Sequence, residues 1–193
     1  PEGRPTVFDR LPRLQDERWI AVGRLDLNTS GLLLFTNDGE LANRLMHPSA
    51  EVEREYACRV LGAVDDEVLQ RLSDGVLLED GMARFSQVRA MGGRGANRWY
   101  GVTIREGRNR EIRRLWESQE LTVSRLKRVR FGTVAIPSIL RPGDWLELEK
   151  PDIDKLCRLV DIKPRRERGL SLQEKQKRRR QLDKLRSRGP NKR

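Results

Sequence analysis

The chain has 193 residues, 36% of them hydrophobic and 36% charged, and a formal net charge of +11. That length holds one ordinary domain with a real core plus an appendage, and so polar a balance puts part of the chain outside the core. No apolar run approaches the length of a bilayer span, the N-terminal "PEGRPTVFDRLPRLQ" lacks the apolar stretch of a secretory signal, and a single histidine, His47, excludes a histidine-rich metal site.

Two cysteines, Cys58 and Cys157, stand far apart without metal-ligand spacing. They read as reduced thiols, so a cytoplasmic protein is expected. The charge is concentrated. Residues 161–193 hold 14 Lys/Arg against 4 Asp/Glu, a net +10, and residues 94–130 hold 11 against 4, a net +7. Cations gathered in two segments suit a polyanion, and nucleic acid is preferred over a merely solubilising tail.

Taken in chain order, "WIAV" and "GLLLFT" are short apolar runs suited to buried strands. "DGELANRLM" has helical spacing at Leu41, Leu45 and Met46. "EREYACRVLG" alternates, with Tyr56, Cys58 and Val60 on one face and Glu53, Glu55 and Arg59 on the other, as in a half-buried strand. "DDEVLQRLSDG" predicts a helix that buries Val68, Leu69 and Leu72 and stops at Gly75. "ARFSQVRAM" and "NRWYGVTIRE" predict strands around the loop "GGRGAN". "NREIRRLWESQ" predicts a helix with Ile112, Leu115 and Trp116 on its apolar stripe. "VSRLKRVRFGTV" and "DWLELE" predict further strands, and "DIDKLCRLV" a closing helix. Few helices between strands argue for an α+β domain with a largely antiparallel sheet over residues 1–160. Residues 161–193 are expected to be a basic, flexible RNA-binding tail, with Leu170, Leu172, Leu182 and Leu185 able to line a transient helix.

The chemistry centres on Asp26. "DLNTSG" has the beginning of a calcium loop, but position twelve, where a Glu should close it, is Asn37. An Asp that starts a turn after a strand is the ordinary reading. A catalytic reading requires a partner that keeps the carboxylate ionised and oriented, usually an arginine. "EGRNREIRR" supplies Arg110, Arg113 and Arg114 at the start of a helix, where cations oppose the helix dipole unless anions face them. A solvated basic face is the plain alternative.

Three segments, "GRLDLNTSGLLLFTNDGELANRLMHPS", "EREYACRV" and "EGRNREIRRLWE…VSRLKRVRFG", occur in that order over roughly residues 1–150. Together they resemble the bacterial pseudouridine synthases that modify ribosomal RNA. Arg at position 113 is most similar to the large-subunit enzymes, where the small-subunit enzyme tends to have Lys. The resemblance implies a mixed, mostly antiparallel sheet flanked by helices with a central RNA-binding cleft, and neither metal nor cofactor. It implies that Asp26 acts on the target uridine, that Tyr56 stacks on the flipped base and helps move its C5 proton, and that Arg113 pairs with the aspartate. Arg24 matches a position near the displaced nucleotide. Arg108, Asn109, Arg110, Arg114, Lys127, Arg128 and Arg130 are expected to grip RNA. The implied partner is a stem-loop of large-subunit (23S) rRNA, bound by a monomer that needs no membrane. Such enzymes usually begin with a small RNA-binding domain of the S4 type. Here "PEGRPTVFD" opens where that domain should have ended, so a truncation is expected. The alternatives are a non-catalytic RNA-binding or ribosome-assembly protein and a small-subunit rRNA synthase.

Overall fold

A computed structural model describes residues 3, 5–14, 17–165 and 172–188. Its centre is a six-stranded sheet with the order β10(Val134–Ala135), β9(Thr122–Phe131), β4(Arg54–Leu61), β8(Asn97–Ile104) and β7(Gln87–Arg94), all antiparallel. A short strand, β2(Thr29–Gly31), joins β9 in parallel. The sheet is thus mixed and mostly antiparallel, as the sequence implies. A separate hairpin pairs β1(Ile20–Val22) with β3(Leu34–Thr36).

Local chemistry sets the helices. In α1(Gly39–Met46), the Asp38 carboxylate accepts hydrogen bonds from the Glu40 and Leu41 amides at 3.0 and 3.1 Å, satisfying two otherwise orphaned donors. Asp65 does the same for Val68 at 2.8 Å at the start of α2(Asp66–Asp74), which ends on Gly75 at a φ of 121°. α1 buries Leu41, Ala42 and Leu45, while Met46, expected inside, is 38% exposed. It lies just past the face that those three residues define.

Two cores divide the work. Tyr56, Cys58 and Val60 of β4 and Tyr100 and Val102 of β8 pack under Leu72 of α2 and under Leu115 and Trp116 of α3(Glu111–Glu117). The Trp116 ring lies 5.2 Å from Tyr100 and 5.7 Å from Phe85, centroid to centroid, within the usual range for aromatic pairs. The second core joins β1, β3 and α1 to Phe131, Val134 and Leu156 and Cys157 of α4(Lys150–Leu159).

The structure departs from the expected elements in four places. "GGRGAN" is not a loop: β7 runs to Arg94, and only Gly95 and Ala96 turn the chain into β8. A small hairpin, β5(Val76–Leu78) with β6(Gly81–Ala83), was not expected, because three-residue strands carry too little alternation to register. "DWLELE" forms no strand. Its Leu148 packs on the second core from a segment that is not a strand, so the apolar alternation reflects burial. Part of the expected tail, Leu172–Ser187, is a helix, α5. Its Leu185 is buried, Gln181 donates to the Trp145 carbonyl at 2.8 Å, and Arg188 just beyond it pairs with Asp144 at 2.9 Å. Leu170 lies outside the described residues.

Candidate active site

Asp26 sits in the loop between β1 and β2. It is half-buried, and among the described residues no hydrogen bond or ion pair engages its carboxylate. Its carbonyl accepts from the Thr29 amide at 2.8 Å, closing a tight turn. The turn-former reading therefore holds for the backbone and leaves the side chain unused.

The segment after the turn lies against β9. Gly31 pairs with Arg128 and has a φ of 112°. A Cβ there would stand 2.2 Å from the Arg128 carbonyl oxygen, so glycine is required both for the conformation and for the close approach. The Leu32 amide then donates to that same oxygen at 2.8 Å.

Two buried arginines hold the loop from beneath. Arg113, 8% exposed, donates from Nη1 to the Val123 carbonyl at 2.7 Å and from Nη2 to the Asn28 carbonyl at 2.8 Å. Arg128, 2% exposed, donates from Nε to the Leu32 carbonyl at 2.7 Å and from Nη1 to the Arg24 carbonyl at 3.5 Å. One planar guanidinium thus ties α3 and β9 to the middle of the Asp26 loop, and the other ties the loop's two ends to β9. The direct Arg113–Asp26 ion pair implied by the resemblance is not formed among the described residues. Arg113 reaches the backbone two residues further on.

Tyr56 lies in the same row. It pairs with Arg128 across β4 and β9, and Arg128 pairs with Gly31 across β9 and β2. At about 4.8 Å between neighbouring strands, Tyr56 and the end of the Asp26 loop are about 10 Å apart along the backbone. Tyr56 is 8% exposed and shares its face with Cys58 and Val60, as the alternation predicts. Burial pushes the Cys58 thiol up to about 12, which keeps it protonated and inert.

The expected RNA-gripping residues separate into two sets. Arg24 and Asn109 are exposed, with no side-chain partner among the described residues. Arg110 is exposed and pairs loosely with Glu117 at 3.3 Å, and Lys127 is half-buried. The others are committed elsewhere. Arg114 donates to both oxygens of Asp80 at 2.8 and 2.9 Å, holding that carboxyl below its usual range. Arg108 pairs with Glu106 and Asp80 and donates to the Met82 carbonyl at 2.8 Å. Arg130 bridges Glu53 and Glu55 at 3.2 and 3.1 Å. Arg128 is buried and works on the backbone. Four of the eight expected phosphate contacts are therefore structural braces, because acids distant in sequence, or loop carbonyls, reach them first.

Two residues escaped the sequence reading. Glu111, 3% exposed, accepts from the Arg108 amide at 3.2 Å; burial, helped by the neighbouring Glu106, raises its carboxyl to about 7 despite Arg108 and Arg114. Arg54 donates to the Arg105 and Glu106 carbonyls at 3.1 and 3.0 Å and lies 5.1 Å over the Phe131 ring, where burial lowers its pKa. The only sequence signal for Glu111 was its place three residues after Arg108 in "RNRE", a spacing typical of helix starts.

Comparison with known proteins agrees with this geometry. The family model described as RNA pseudouridylate synthase matches residues 2–118. Ribosomal large subunit pseudouridine synthase B of Pseudomonas aeruginosa is 59% identical over 182 residues, covering 94% of this chain and 47% of that protein. The protein of the same name from Escherichia coli (strain K12) is 58% identical over 186 residues, covering 96% of this chain and 64% of its own length. The chain thus spans about half to two thirds of the length of these curated relatives. A solved structure described as a pseudouridylate synthase superposes with a TM-score of 0.69 at 25% identity, over 79% of this chain and 65% of that one. With the family model covering more than half the sequence and an aspartate loop braced on a mixed sheet beside a tyrosine, this chain belongs to the RNA pseudouridylate synthase family.

Proposed function

We propose that the chain isomerises one uridine of large-subunit (23S) ribosomal RNA to pseudouridine. The observation that carries this reading is the Asp26 loop. Among the described residues its carboxylate is unengaged, while the loop's backbone carbonyls accept from Arg113 and Arg128 and Tyr56 lies in the same row. A carboxylate held by rigid supports yet left unpaired is arranged for a reacting partner that comes from outside.

The reaction breaks the bond between C1′ and N1 of the nucleotide and forms one between C1′ and C5. C5 loses a proton and N1 gains one, so no atom enters or leaves. Asp26 acts on the nucleotide to release the base from the sugar, and Tyr56 holds the detached ring and assists transfer of the C5 proton. Arg113 is a positioning residue in this scheme, acting through the Asn28 carbonyl. A uridine within a stem cannot reach this row, so the base is flipped out. Leu27, next to Asp26 and 99% exposed, is placed to fill the gap it leaves. Arg24, Asn109 and Arg110 are the cations and donors open to the RNA backbone. The relatives' names support the ribosomal substrate, and the reading includes a monomer that acts in the cytoplasm; no helix among the described residues is long and apolar enough to cross a membrane.

The test is mass mapping of pseudouridine in 16S and 23S transcripts after incubation with the chain and with Asp26→Asn. One new pseudouridine in 23S RNA, absent with the variant although the variant still binds that RNA, is the expected result. Full activity in the variant, or modification of 16S RNA instead, refutes the reading.

A further inference from the structure

The central sheet has a second face. Tyr56, Cys58 and Leu126 pack in one core with residues of α2 and α3, so their neighbours in sequence point the other way. On that opposite side Trp99 of β8, Arg59 of β4 and Arg125 of β9 form one cross-strand row. The next row is Arg89, Gly101, Ala57 and Lys127. Arg125 and Arg89 are exposed, and Arg59, Trp99 and Lys127 are half-buried. Arg125 has no ionic or hydrogen-bond partner among the described residues.

Charge and shape both select a partner. This face carries Arg59, Arg89, Arg125, Lys127 and Arg130 against two carboxylates, Glu55, which is shared between Arg89 and Arg130, and Glu53 just before β4, which also pairs with Arg130. Arg125 and Lys127 stand two residues apart on one strand, so they present cations at intervals of about 7 Å. A tryptophan at the end of such a row adds a flat π-face, and Met91 beside it is 51% exposed. Lys127 and Arg130 also line a cavity of about 400 Å³ with Ile136, Pro137 and Leu140 at the other end of the face. A membrane surface would want more apolar area and no recess. An open sheet with cations and an aromatic is the arrangement that holds unpaired nucleotides by phosphate and stacking.

We propose that this face is a second RNA site, which takes a single-stranded stretch of the same ribosomal RNA flanking the modified stem-loop. Arg125 and Arg59 hold phosphates, and one base stacks on Trp99. The site rests on the reading of RNA as substrate but not on the chemistry at Asp26.

The experiment uses the full chain with two probes, a twelve-residue oligouridylate and a 23S transcript. Replacing Arg59 and Arg125 together by Gln should lower the salt slope of oligouridylate binding by about 1.4, two phosphate contacts at about 0.7 each for a single strand. The KM for the transcript should rise about tenfold with kcat held within twofold. Trp99→Ala should weaken oligouridylate binding about fivefold or more, and Trp99→Phe, which keeps a stacking ring, should restore most of it. An unchanged salt slope and KM in the double variant, or equal losses in Trp99→Ala and Trp99→Phe, overturns the proposal. If the unaltered chain forms no pseudouridine yet oligouridylate binding responds as stated, the enzymatic reading fails and this one stands.

Discussion

Arg113→Lys separates two roles for the arginine that charge alone cannot separate. If Arg113 served as a point charge for Asp26, lysine would keep the charge and most of the activity. In the structure its two terminal nitrogens serve two carbonyls, Val123 at 2.7 Å and Asn28 at 2.8 Å. A single ammonium on a flexible stem does not reproduce that fork. One carbonyl loses a hydrogen bond from a charged donor, about 2 kcal/mol. For a chain of this size that lowers Tm by about 6 °C. The Asn28 carbonyl lies in a turn and the Val123 carbonyl in a central strand, so the loop is the side that loosens. We expect kcat for pseudouridine formation to fall about tenfold to a hundredfold with KM little changed, and amide exchange to quicken at residues 26–30. Single-turnover assays, thermal melts and hydrogen exchange on the same samples check this. Unchanged kcat and unchanged exchange in the loop would show that the charge was all that mattered, and the brace argument would fall.

Two further outcomes follow from the same region. Glu111→Gln should raise stability at pH 8 and leave it unchanged near pH 4. The buried carboxyl titrates at about 7 in the fold, above its ordinary value, so the native state binds the extra proton, and stability is lost as pH rises through about 7. The difference between about 7 and 4.5 corresponds to about 3 kcal/mol at high pH; melts from pH 4 to 9 that run parallel for both proteins would refute it. Gly31→Ala should lower activity by more than tenfold and Tm by several degrees, since its Cβ meets backbone at 2.2 Å and its φ is strained; a melt and an activity equal to those of the unaltered chain would show that β2 can shift off β9 at no cost.

Much of this protein was legible in its sequence because the signals were local. Period-two alternation fixed the inner face of β4, Tyr56, Cys58 and Val60, and apolar spacing marked α1 and α2. The spacing of Ile112, Leu115 and Trp116 placed α3, and the resemblance of three segments pointed to Asp26, Tyr56 and Arg113 as the residues of the proposed site. What sequence could not decide was where each arginine ends up. Arg24 and Arg128 are the same residue type, yet one faces solvent and the other is 2% exposed beneath a loop. The choice depends on acceptors contributed from far along the chain. Asp80 reaches Arg114 across 34 residues, Glu53 reaches Arg130 across 77, and the Asn28 carbonyl reaches Arg113 across 85. A single chain read in order shows that positive charge is concentrated near β9. Only folding brings carboxylates and carbonyls within hydrogen-bonding distance of it, and that contact decides which cations brace the Asp26 loop and which remain open to RNA.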